Sequence, residues 1–202
     1  MSGAWLASYI ALWAVVLFQG VVIFLLLRQL GVMYLGTAQG VARDGLPVGR
    51  SAPEFTVQDV QGRQLSLADF RGTSLLLIFG SANCAPCRAL IPDLNVFAEE
   101  RRSELDVLFL CQSEPEAARR FVAETGVRVP VAVQPDDTLA DAYKARVTPF
   151  AFLIDGEGVI RAKGLANNRE HLELLLRMAE REGRRAPGQN GASDERRQEV
   201  RR

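Results

Sequence analysis

Leu75-Leu76-Leu77-Ile78-Phe79-Gly80-Ser81-Ala82-Asn83-Cys84-Ala85-Pro86-Cys87 is the stretch on which the fold turns. Leu75 to Phe79 is an unbroken apolar run, as a strand buried on both faces requires. Gly80 to Asn83 turn the backbone. From Cys87 onward, apolar residues fall at Leu90, Ile91, Leu94 and Ala98, the spacing of one helix face. The two cysteines therefore sit where a buried strand ends and a helix begins. A helix start gathers unpaired N–H groups and a partial positive charge, which favour a thiolate over a thiol. Pro86 suits the first turn, where its missing N–H is not needed. Two intervening residues let the pair close a small disulfide ring, so that one thiol can resolve a mixed disulfide formed by the other.

A lone CxxC is weak evidence. Between a buried strand and a helix it reads as a thioredoxin-like redox motif. A closed zinc site needs about four ligands. The rest of the chain offers one further cysteine, Cys111, and one histidine, His171. Metal binding is therefore not expected, nor is a cofactor. Cys111 ends an apolar run and reads as an inert buried thiol, and His171 as a surface residue.

The chain has 202 residues, formal net charge zero and 48% hydrophobic residues. That allows one ordinary domain with extensions. The neutral balance argues against nucleic acid as a partner. Three cysteines are too few for a disulfide scaffold.

No charged side chain precedes Arg28. The apolar run from Ala4 to Leu27 would reach about 36 Å as a helix, against a bilayer core of about 30 Å. Trp5, Tyr9 and Trp13 crowd one end, as interfacial aromatics do. A cleaved signal peptide has a basic start and a shorter run. Residues 4–28 are thus expected to be an uncleaved membrane anchor. Residues 29–47, with four glycines and Pro47, read as a linker. Arg28, Arg43 and Arg50 after the span favour a cytoplasmic domain by the positive-inside rule. Thiol chemistry by an anchored domain favours an oxidising compartment. We expect the latter to prevail.

Residues 48–181 read as the folded domain. Strands are expected at Ala52–Val57, Arg63–Leu67, Leu75–Phe79, Leu105–Cys111, Val131–Gln134, Phe150–Asp155 and Val159–Gly164. Ser113-Glu114-Pro115-Glu116 has the form of a capping box opening a helix to Thr125, with Gly126 ending it. A short helix spans Leu139–Lys144, and Leu172, Leu175, Leu176 and Ala179 mark a last one. Residues 182–202 lack a core-forming pattern and are expected to be a disordered tail. The fold class is α/β, a mixed sheet flanked by helices.

Several strings then carry a resemblance. Gly49-Arg50-Ser51-Ala52-Pro53-Glu54-Phe55, the Asp59–Gly62 turn, Leu67-Ala68-Asp69-Phe70-Arg71-Gly72, the Cys84–Cys87 motif and Val147-Thr148-Pro149-Phe150 resemble the TlpA-like branch of thioredoxin-fold proteins. Anchor and domain together look most like methylamine-utilisation accessory proteins of the MauD type. The resemblance implies a single-pass inner-membrane protein with its thioredoxin-like domain in the periplasm. It also implies thiol–disulfide exchange on protein substrates, maturation of a periplasmic dehydrogenase, and a membrane electron donor as partner. At the site it implies Cys84 as attacking thiol, Cys87 as resolving thiol, a Cys84–Cys87 disulfide and a cis bond before Pro149. Cis is cheap only before proline. There Thr148 would offer its backbone to a bound peptide, with Asn83, Ala85 and Pro86 completing the contact surface.

Two positions depart from the family's pattern. Asn83 stands where thioredoxins carry tryptophan, and Ile78 where many carry a buried acid. Deprotonation of Cys87 must then rely on another group, and Glu54 and Glu157 are the acids available. The peroxiredoxin loop, a second reading of this fold, fails because its proline would fall within Leu75–Phe79. A metal chaperone and a docking module remain the non-enzymatic alternatives.

Overall fold

A computed structural model describes residue 3, residues 9–23 and residues 44–184. The chain divides into two units, Met1–Arg43 and Asp44–Arg202. In the first, residues 9–23 are helical, with Trp13, Leu17 and Phe18 among their exposed side chains. Among the described residues, no helix is long and apolar enough to cross a membrane. The remainder of the expected anchor, linker residues 29–43 and tail residues 185–202 lie outside the described residues.

The second unit is built on two apolar strands, β3 (Ser74–Gly80) and β4 (Leu105–Cys111). They pair in parallel, Leu76 opposite Val107 and Gly80 opposite Cys111. The run that joins them contains α1 (Ala85–Glu100). Around this unit stand β1 (Thr56–Asp59), β2 (Gln64–Ser66), β5 (Val131–Val133), β6 (Phe150–Ile154) and β7 (Ile160–Leu165). They form one mixed seven-stranded sheet in the order β2-β1-β5-β4-β3-β6-β7. Helices α2 (Pro115–Thr125), α3 (Thr138–Tyr143) and α4 (Arg169–Arg184) complete it.

Strand side chains alternate between faces, so β3 contributes to two cores. Leu76 and Ile78 join Leu90, Ile91, Leu94 and Phe97 of α1, Phe121 of α2 and Leu172 and Leu175 of α4. Phe79 points to the other face, where its ring meets Tyr143 at 5.3 Å and Phe152 at 5.8 Å. With both faces covered, β3 and β4 need no polar alternation, which is why they read as continuous apolar runs.

Three expectations are corrected. Asp44 and Leu46, within the expected linker, are instead buried in the domain. Leu46 N–H donates to the Tyr143 carbonyl at 2.9 Å. Helix α4 runs on to Arg184, into the stretch expected to be tail. Ser113 is not a helix cap: Glu114 occupies that position with no side-chain cap. Pro115, at the first helical position, leaves one fewer N–H to satisfy. The serine hydroxyl is free for the use described below.

Candidate active site

The strand-to-helix junction places both cysteines. Cys84 is the N-cap of α1, and its Sγ accepts the Cys87 N–H at 3.2 Å. Cys84 and Cys87 are disulfide-bonded, with Cα atoms 5.2 Å apart. Cys87 lies on the apolar stripe of α1 and is fully buried, whereas Cys84 is half-buried and Asn83, Ala85 and Pro86 are exposed. An incoming sulfur can therefore reach Cys84 and not Cys87. One first-turn N–H, that of Cys87, is thus directed at Cys84 Sγ at the positive end of the helix.

Pairing of β6 with β3, Phe150 opposite Phe79, brings the residues before β6 beside this junction. The Thr148–Pro149 peptide bond is cis. The Thr148 carbonyl oxygen lies 3.7 Å from Cys84 Sγ. Pro149 is buried and Thr148 half-buried. The Pro149 carbonyl is already used, accepting the Ala166 N–H at 3.1 Å. Beside the disulfide, a polar cleft of about 440 Å³ is lined by Ser81, Gln112, Asp137, Asp141, Arg146 and Thr148 among others.

Two residues that sequence reasoning passed over hold the loop before Cys84. Ser113 Oγ accepts the Ala82 N–H at 3.0 Å and donates to the Gln112 carbonyl at 2.7 Å. Arg88 Nε donates to the Ala82 carbonyl at 3.0 Å. Both backbone polar groups of buried Ala82 are thus satisfied by side chains from separate parts of the chain. Arg88 is itself placed by Glu124 at 2.9 Å and by the Phe121 ring, 5.6 Å from its guanidinium carbon. Ser113 was hidden because its spacing mimics a capping box. No local signal marks Arg88.

Cys111, opposite Gly80, lies under the same loop and is fully buried. Burial pushes its thiol up, against the pull of hydrogen bonds from Ser113 and Ala82. Neither of the two available acids reaches the site. Glu54 pairs with Arg71 at 2.8 Å, and Arg71 also donates to the Glu157 carbonyl. Arg71 precedes β3 and Glu157 follows β6, so both lie at the end of the sheet away from Cys84. Ile78 is wholly buried. His171 sits at the start of α4, its Nδ1 accepting the Asn167 N–H at 3.3 Å. Among the described residues, no cluster of three or more His, Cys, Asp or Glu could hold a metal.

A model of the AhpC/TSA family matches residues 48–163. The chain belongs to the AhpC/TSA family. Among curated proteins it is similar to the methylamine utilization protein MauD of Paracoccus versutus, 35% identical over 177 residues, covering 85% of this chain and 87% of the relative. It is also similar to the thiol-disulfide oxidoreductase ResA of Bacillus cereus, 28% identical over 137 residues, covering 66% of this chain and 79% of the relative. Among solved structures it matches a Chlorobium tepidum protein described as a thiol:disulfide interchange protein, DsbE. That match has a TM-score of 0.62 at 25% identity and covers 66% of this chain and 98% of the other. With such relatives, this member of the family is a thiol–disulfide oxidoreductase of the MauD, ResA and DsbE type.

Proposed function

We propose that Cys84 and Cys87 are the redox couple of a membrane-anchored, extracytoplasmic oxidoreductase acting on protein thiols and disulfides. The observation that carries this is the disulfide at the start of α1, its accessible sulfur 3.7 Å from the carbonyl that precedes a cis-proline. In the reducing direction, the Cys84 thiolate attacks a substrate disulfide and one substrate sulfur leaves as thiolate. Cys87, deprotonated, then attacks Cys84 Sγ in the mixed disulfide and releases the second substrate sulfur. Two electrons pass from dithiol to substrate, and each released thiolate takes up a proton. The same steps reversed oxidise a substrate dithiol. Thr148 offers backbone groups to an extended peptide, and Asn83, Ala85 and Pro86 form the rim it crosses. Cys87, the resolving thiol, lies buried on the apolar stripe of α1.

The uncharged run 4–27 supports an anchor, and residues 44–184 supply the redox domain. The oxidising side of the membrane is where a dithiol of this kind has disulfides to exchange. The similarity to methylamine utilization proteins supports a substrate in that process, a periplasmic dehydrogenase matured by disulfide exchange, with a membrane electron donor recycling the couple. Peroxide reduction is not favoured, because the residues where the peroxiredoxin loop needs its proline are buried in β3.

The test is trapping. Cys84→Ser abolishes exchange, and Cys87→Ser accumulates a mixed disulfide with substrate on non-reducing gels. Trapping by Cys84→Ser would reverse the roles. In intact spheroplasts, a maleimide that cannot cross membranes labels reduced Cys84. Labelling only after lysis would overturn the outside placement.

A further inference from the structure

The chain enters the domain through Asp44, Gly45 and Leu46, laid against the residues that lead to the cis-proline. Gly45 N–H donates to the Lys144 carbonyl and Leu46 N–H to the Tyr143 carbonyl, each at 2.9 Å. The Asp44 carboxylate accepts the Arg146 N–H at 3.0 Å, two residues before Thr148. From β7, Lys163 Nζ donates to the Asp44 carbonyl at 2.6 Å and the Gly45 carbonyl at 2.8 Å. Gly45 has φ +73°, and a Cβ there would fall 2.8 Å from the rings of Phe150 and Phe152. Phe150 follows Pro149 directly. Residues 44–46 thus hold the chain on both sides of Thr148–Pro149.

Two features mark this as more than a strand edge. Asp44 is 8% exposed, and a carboxylate is buried at a cost unless donors and an opposite charge meet it. Here the Arg146 N–H donates to the carboxylate, and the Lys163 ammonium, seated on the Asp44 and Gly45 backbone carbonyls, lies close enough to feel its charge. Lys144 adopts the left-handed conformation, φ 56°, which only glycine visits freely. The Gly45 N–H on its carbonyl helps to hold that turn. The Arg146–Thr148 segment is exposed or half-buried, so it has little packing of its own.

We propose that Asp44 and Lys163 form a clasp that positions the Arg146–Pro149 loop for substrate pairing, with Asp44 a positioning residue acting through the Arg146 N–H. This rests on Thr148 as the residue that pairs with substrate, as proposed above. With the clasp closed, the Thr148 carbonyl is kept beside Cys84 Sγ. With it open, the loop swings about Lys144 and an extended peptide loses its docking edge. A small dithiol, which needs only access to Cys84, is indifferent to the loop.

The experiment uses the full chain in detergent with Asp44→Ala, Asp44→Asn and Lys163→Met. Exchange is measured with two probes, a disulfide-linked peptide and dithiothreitol. In Asp44→Ala and Lys163→Met, the peptide rate falls about tenfold, the worth of one charge-assisted hydrogen bond, and the loss appears in KM. The dithiothreitol rate is unchanged. Asp44→Asn, whose amide oxygen still accepts the Arg146 N–H, recovers most of the peptide rate. Should Asp44→Ala fail to fold, Lys163→Met carries the same expectation. A parallel fall with both probes, an unchanged peptide rate, or an Asp44→Asn as impaired as Asp44→Ala would sink the clasp. Failure of the unaltered protein to cycle with dithiothreitol would instead sink the dithiol reading.

Discussion

Gly80→Ala tests the packing beneath the redox loop. Gly80 ends β3, four residues before Cys84. A Cβ there would lie 2.3 Å from Phe109 Cζ and 3.0 Å from Phe109 Cε1 and Cε2. The ring has nowhere to go. Phe109 is fully buried and stacked on Phe121 at 5.4 Å and 21°, and Phe121 in turn underlies Arg88. Overpacking costs about 1–3 kcal/mol, and a contact this short against a trapped ring belongs near the top, about 3 kcal/mol. With a urea m-value of about 2 kcal/mol/M, the unfolding midpoint drops by about 1.5 M. Far-ultraviolet circular dichroism is the assay. Tryptophan fluorescence would not serve, because both tryptophans, Trp5 and Trp13, precede the domain. Adding Phe109→Leu removes the ring atoms the new methyl meets, so the double variant should be less damaged than the two single losses together. A Gly80→Ala midpoint within about 0.25 M of the parent, or strict additivity with Phe109→Leu, would refute the reasoning.

Cys111→Ala should keep full exchange activity, because thiolate rather than thiol reacts and burial pushes the Cys111 thiol up. Alkylation of the reduced native protein should modify Cys84 and leave Cys111 untouched until the domain is unfolded, and mass mapping of the adducts decides this. Asp59 gives a pH dependence. Burial works to raise its carboxyl, but the Arg63 N–H at 2.8 Å, the Arg63 guanidinium at 2.7 Å and the Gln61 N–H at 2.9 Å hold it below the usual carboxylate range. A carboxyl depressed by folding contributes stability that is present above its unfolded pKa of about 3.9 and is lost as pH falls through the folded value. The stability gap between the parent and Asp59→Asn should therefore narrow as pH falls below about 5 in urea titrations. A gap that widens toward acid would contradict this.

Some misreadings are instructive. Ser113-Glu114-Pro115-Glu116 satisfies the local pattern of a cap, but the Ala82 N–H, thirty-one residues away in sequence, needs an acceptor and takes the serine hydroxyl. Residues 44–47 contain Gly45 and Pro47 and look like linker. Gly45 is there because Phe150 and Phe152 leave no room for a side chain. Glu54 and Glu157 are the acids the sequence offers, and nothing in the sequence places either near Cys87. Glu157 follows β6 and Glu54 pairs with Arg71 ahead of β3, which puts both at the end of the sheet opposite Cys84.

The sequence by itself determined the redox junction, the central strands and the helices that cover them. Those features are written in near-neighbour terms: an apolar run, a turn, CxxC, a 3.6-residue stripe. It also placed Thr148–Pro149 before a strand. Only the tertiary structure decided what stands next to Cys84. The Thr148 carbonyl reaches it through the pairing of β6 with β3, and Ser113 and Arg88 reach the Ala82 backbone N–H and C=O from β4's end and from α1. Asp44 reaches Arg146 across 102 positions of chain. Such contacts carry no periodicity and no fixed spacing, because what selects them is the need of buried N–H and C=O groups for partners once the sheet has closed.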